Sequence, residues 1–79
     1  MRFKVYVRLK AGVLDVQGKA IEGGLKSLGF NNVDDVRIGK LVELSITADS
    51  EDEAKNQADE ICQKLLANPV IEDYEIKVV

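Results

Sequence analysis

The stretch KAGVLDVQGK, Lys10 to Lys19, sets Gly12, Gly18 and Lys19 at almost the spacing of a phosphate-binding loop. Such a loop reads G-x-x-x-x-G-K-[ST], because its backbone N–H groups cradle phosphates, its lysine reaches the terminal ones and its hydroxyl binds magnesium. Here Gly12 to Ala20 reads G-x-x-x-x-x-G-K-A, one residue too long and without the hydroxyl. Asp15 would also set a negative charge where phosphate should lie. A helix start accounts for the same residues: Gly12 turns the chain, Asp15 accepts from the N–H of Gln17 or Gly18, and Val16 opens the helix.

Other chemistry has little to work with. The sequence holds no histidine, which excludes a histidine-based triad and the usual cysteine and histidine zinc sites. Ser27, Ser45 and Ser50 fall late in a helix, on a strand and at a helix cap, none in a G-x-S-x-G setting. Asp34 with Asp35 would point to opposite faces of a strand, and Glu51, Asp52 and Glu53 are acids of the kind favoured at a helix amino terminus. The lone Cys62 sits on an apolar helical stripe and reads as a buried, inert thiol. No arginine occurs in residues 11–18, where an acylphosphatase would carry one. The strand LVELSIT lacks the aromatic residues on which RNA-recognition sheets stack bases.

The elements that position these residues follow from periodicity. In FKVYVRL, Phe3, Val5, Val7 and Leu9 share one face and Lys4, Tyr6 and Arg8 the other, the period of two of a half-buried strand. Ala20, Ile21, Gly24, Leu25 and Leu28 follow helical spacing, and Gly29 stops that helix. VDDVRIGKLVELSITA offers two strands with Val36, Ile38, Val42, Leu44 and Ile46 inward. Keeping all five on one face demands an odd-length turn, Gly39 to Leu41, or a shorter turn with a bulge at Gly39. Ser50 and Glu53 form a capping box ahead of a helix whose apolar face is Ala54, Ala58, Ile61, Cys62, Leu65 and Leu66. Asn68 and Pro69 end it, and VIEDYEIKVV reads as a last strand.

Seventy-nine residues, 46% hydrophobic and 32% charged, make one domain, residues 1–79. The order βαββαβ predicts an α+β, ferredoxin-like fold: a four-stranded antiparallel sheet in the order 4-1-3-2 with two helices on one face. Residues 1–40 carry eight basic and four acidic side chains, and residues 41–79 three basic and ten acidic. That asymmetry marks either a basic binding patch or complementary strands in one sheet, with Lys4 and Arg8 between Glu43 and Asp73 or Glu75. The open outer face, with Lys4, Tyr6, Arg8, Leu41, Glu43, Ile71 and Asp73, is either solvated or the surface of a sheet-to-sheet dimer. No stretch approaches the roughly 18 apolar residues of a membrane span, so the sequence is read as that of a soluble, cytoplasmic protein.

VYVRLKAGVLDVQGKAIEGGLKSLGF, DVRIGKLVEL and ICQKLLANPVIEDYEI, in that order, resemble the PurS family, subunits of phosphoribosylformylglycinamidine (FGAM) synthase. The family commonly reads K-P-G-V-L-D-P-Q-G in the first stretch; Ala11 and Val16 stand here in place of those prolines. Proline at a first helical position is preorganised for a helix, so Val16 changes rigidity and no chemistry. The resemblance implies a non-catalytic subunit of a purine-biosynthesis amidotransferase. It would bridge a synthetase subunit, PurL, which uses ATP and magnesium on formylglycinamide ribonucleotide, and a glutaminase subunit, PurQ, and assist ammonia transfer. This chain would form a homodimer or tetramer and bind no cofactor, nucleic acid or membrane itself. The alternative is a stand-alone metabolite-binding regulatory domain of the same fold; an acylphosphatase-like enzyme fits less well.

The resemblance carries over no catalytic residue. Candidate partner contacts are the loop of Gly12, Asp15 and Gln17, the turn of Arg37, Gly39 and Lys40, and the joint of Asn68 with Pro69. Each has an alternative as turn or cap chemistry. Arg37 and Lys40 stand out because folding alone poorly explains a basic turn.

Overall fold

The structure, a computed structural model, describes residues 1–79. Strand β1 (Arg2–Leu9) is the middle of the sheet, because its alternating pattern gives it an apolar face to bury while both its edges are paired. It runs antiparallel to β2 (Gly39–Ser45) on one side and to β3 (Glu72–Val78) on the other. Val5 faces Val42 and Ile76 across the ladders, and Phe3 faces Leu44 and Val78. Phe3, Val5 and Val7 are fully buried under one helix.

That helix is α2 (Glu51–Ile61), which continues as a π-helical turn, Cys62–Leu66. Ser50 starts it by accepting the N–H of Glu53 on its hydroxyl at 3.1 Å. Ala54, Ala58 and Cys62 face the sheet, and their small side chains let the helix lie close upon it. Ala54 and Ala58 pack with Phe3 and Ile46; Cys62 packs with Val5, Val7 and Ala67. Leu65, expected on the same stripe, is 80% exposed. The wide turn advances each residue by less than the 100° of an α-helix, and so swings Leu65 off the buried face.

Helix α1 (Val16–Ser27) begins at Asp15 and ends in a Schellman motif, with Gly29 at φ +95° and the N–H of Phe30 donating to the Leu25 carbonyl at 2.9 Å. Its two buried residues are Gly18 and Glu22, and none of its side chains enters the core over the sheet. Residues 33–38 run beside it, antiparallel: the N–H of Ile38 donates to Asp15 at 2.6 Å and that of Asp35 to Glu22 at 2.9 Å.

The fold is α+β, but two expectations need correction. Neither turn nor bend lies between Val33 and the start of β2, so the hairpin expected at Gly39 to Leu41 does not form. Residues 33–38 therefore pair with no strand, and the sheet has three strands where four were expected. The three present keep the expected neighbours, with β1 central. The second correction concerns the helices: α2 lies on the sheet, whereas α1 with residues 33–38 forms an arm beyond the carboxyl end of β1. The molecule is accordingly 53 × 25 × 14 Å. No helix is long and apolar enough to cross a membrane.

Candidate functional site

The eight residues proposed as partner contacts gather at one end of the sheet, where the arm departs. Asp15 is its centre. Its side chain is 5% exposed and accepts two backbone N–H groups, from Gly18 at 2.8 Å and from Ile38 at 2.6 Å. The first bond caps α1; the second ties the helix to a residue 23 positions away. The bond from Ile38, then that from Gly18, hold the carboxyl below the usual carboxylate range, and the Arg37 guanidinium adds to the effect. The acid that spoiled the resemblance to a phosphate loop is a structural clasp.

Gly18 is explained by the same clasp. A Cβ there would lie 2.0 Å from the Val36 carbonyl oxygen, so only glycine lets α1 approach residues 33–38 so closely. Gly12, at φ +87°, makes the preceding turn. The Arg37 guanidinium closes that loop by donating to the carbonyls of Val13 at 3.0 Å and Lys10 at 3.2 Å. Arg37 thus has a folding role that the sequence did not disclose. Lys40 is exposed, with no hydrogen bond or ion pair, and Gln17 is exposed beside it along a shallow cleft that also touches Asp15 and Glu72.

Asn68 and Pro69 reach the same end of the sheet through Ile71, whose carbonyl accepts from Lys10 at 2.8 Å. The Asn68 side chain accepts the Val70 N–H at 3.0 Å, and the Asn68 backbone N–H donates to the Glu72 carboxylate at 2.7 Å. The turn expected there is present, with its polar groups paired.

On the outer sheet face, Lys4, Tyr6 and Arg8 stand in register with Glu43, Leu41 and Asp73, as expected. Lys4 lies 3.8 Å from Glu43. Ile71 is set just ahead of β3, at the end of that face. Lys77 belongs to this face and was missed: it lies 5.4 Å above the Tyr6 ring and 4.0 Å from Glu75. Glu22 was missed too, although it follows Asp15 by seven positions, two helical turns, and so shares its side of α1.

No three His, Cys, Asp or Glu side chains stand close enough together to hold a metal ion. Burial, with Asp59 nearby, pushes the Cys62 thiol up, away from the reactive thiolate.

The profile of the PurS family, phosphoribosylformylglycinamidine (FGAM) synthase, matches residues 2–79. The chain belongs to the PurS family. It is 51% identical over 77 residues to the PurS subunit of Bacillus subtilis, spanning 98% of this chain and 90% of that protein. A solved structure of B. subtilis PurS superposes with a TM-score of 0.86 at 50% identity, over 96% of this chain and 94% of that one. The PurS subunit of Methanocaldococcus jannaschii is 47% identical over 74 residues, 94% of this chain and 89% of that protein. A chain in the structure of PurLQS from Thermotoga maritima superposes with a TM-score of 0.89 at 31% identity, over 99% of this chain and 95% of that one. As a PurS-family protein, the chain is a subunit of FGAM synthase in purine biosynthesis.

Proposed function

We propose that this chain is the non-catalytic bridging subunit of an FGAM synthase complex, joining a PurL synthetase to a PurQ glutaminase and assisting passage of ammonia between them. The match to PurS over residues 2–79, together with the likeness to a chain of the T. maritima PurLQS structure, carries the reading. The complex converts formylglycinamide ribonucleotide, glutamine and ATP to formylglycinamidine ribonucleotide. ATP and magnesium belong to the synthetase in this reading, and the present chain contributes surfaces: the Asp15, Arg37 and Lys40 end of the sheet towards partners, and its own copies as a homodimer or tetramer. Neither nucleic acid nor membrane has a part, and the complex works in the cytoplasm.

Reconstitution tests this. Adding the chain to matching PurL and PurQ should restore glutamine-dependent FGAM formation, while ammonia-dependent formation by PurL alone changes little. Equal glutamine-dependent rates with and without the chain would refute the bridging role. Tight calorimetric binding of an amino acid or purine intermediate to the isolated chain would instead favour a regulatory domain.

A further inference from the structure

The outer face of the sheet, turned away from α2, carries a pair of charges that folding does not explain. Lys4 on β1 is paired directly with Lys77 on β3. Like charges directly opposite on neighbouring strands are destabilising, so strand pairing disfavours this arrangement. Each ammonium has one carboxylate near it, Glu43 at 3.8 Å from Lys4 and Glu75 at 4.0 Å from Lys77. Both separations exceed the roughly 2.7–3.2 Å of a hydrogen bond. Lys64, by contrast, donates to Glu60 at 2.6 Å. The donors of Lys4 and Lys77 are unspent.

Tyr6 completes the cluster. It stands two positions beyond Lys4 on the same face, 39% exposed, with the Lys77 ammonium 5.4 Å from the centre of its ring. Leu41, opposite Tyr6 on β2, is 49% exposed. Tyrosine is enriched among the residues that carry binding energy at protein interfaces, and charged groups around such an anchor steer and select the partner. We propose that this face docks an acidic protein surface of one of the subunits the chain bridges. Carboxylates of that surface engage Lys4 and Lys77, and an apolar side chain covers Tyr6 and Leu41.

The proposal rests on the bridging role, which requires a separate surface for each of two subunits. The Asp15, Arg37 and Lys40 end of the sheet is one, and the outer face supplies the other. Charge selects the occupant. Register places Arg2, Lys4, Arg8 and Lys77 on this face against Glu43, Asp73 and Glu75, a positive balance on a chain whose net charge is -3. A second copy would bring another positive face against it and leave the lysine pair without acids. An acidic surface relieves the repulsion between Lys4 and Lys77, which the isolated chain bears unrelieved.

The test titrates the chain into matching PurL and PurQ, at low and at high salt, and reads the concentration that restores half of glutamine-dependent FGAM formation. The double variant K4Q/K77Q removes both charges. At low salt it should need about tenfold more protein than the parent, and the difference should shrink at high salt, where ions screen the parent's attraction. Glu43→Gln should act in the opposite direction, reaching half the rate at about two- to threefold lower concentration, because it removes a carboxylate that competes for Lys4. A general loss of stability produces no such gain. Equal requirements for the parent and the double variant would overturn the proposal, as would a difference that salt leaves unchanged. A double variant that forms smaller assemblies by light scattering, yet restores activity at the parent's concentration, would assign the face to contacts between copies and overturn it too. Failure of the parent to restore any activity refutes the bridging role itself, and the docking face falls with it. Should the double variant fail to fold, Glu43→Gln decides alone, since absence of a gain overturns the proposal.

Discussion

The carboxylate of Asp15 joins two places in the chain by accepting the N–H of Ile38 at 2.6 Å while capping α1 through Gly18 at 2.8 Å. Both bonds favour the ionised acid. Its stabilising effect is therefore full above the ordinary carboxylate pKa near 3.8 and is lost as pH falls through the lower value of the folded state. Amide hydrogen exchange at Gly18 and Ile38 should accelerate together below about pH 4 relative to amides of β1. Asp15→Ala should show that loss already at pH 7. Continued protection at both amides in the variant would rule the clasp out.

Gly18 and Gly23 both lie in α1, yet alanine should act oppositely at them. A Cβ at Gly18 meets the Val36 carbonyl at 2.0 Å, whereas one at Gly23 meets nothing within 4 Å. Gly23→Ala should stabilise the protein by up to about 1 kcal/mol, the helix-propensity difference. Gly18→Ala should lower the thermal midpoint by circular dichroism in spite of that gain, and equal midpoints for the two variants would contradict the close approach.

Arg37 and Lys40 should separate folding from assembly. Arg37→Ala frees the carbonyls of Lys10 and Val13 and should cost about 0.5–1.5 kcal/mol for each net hydrogen bond lost. Lys40 makes no such bond, so Lys40→Glu should leave stability within about 0.5 kcal/mol of the parent. It should nevertheless reduce co-purification with PurL and PurQ. Undiminished co-purification would remove Lys40 from the partner surface.

Phe3 fills the space between β1 and the alanines of α2 and is fully buried. Phe3→Ala should cost about 3–5 kcal/mol, a large part of the stability of so small a domain, as read from denaturant midpoints. Leu65→Ala, at an 80% exposed site, should cost under about 0.5 kcal/mol in the isolated chain. A large loss there would return Leu65 to the core stripe that its spacing suggested.

Much of this protein is written locally. Phe3, Val5 and Val7 define β1 by alternation, Asp15 and Ser50 start the helices as caps, and Ala54, Ala58 and Cys62 mark the buried face of α2. Each depends on neighbours within a turn or a pleat, so spacing alone identifies it. The clasp was half legible: Asp15 was recognisable as a cap, but its bond to Ile38 spans 23 residues and has no periodic signature. Arg37 looked free for the same reason, since the Lys10 and Val13 carbonyls it holds are distant in sequence.

What the sequence determined by itself is which residues from Val36 to Ile46 share a face. Whether that segment folds back at Gly39 or runs straight was decided only in three dimensions. An odd-length turn and an uninterrupted strand leave the same even-numbered residues on the same side, so a period of two is blind to the choice. The structure takes the straight path, with Asp15 and Glu22 holding the segment against α1 and away from its own sheet.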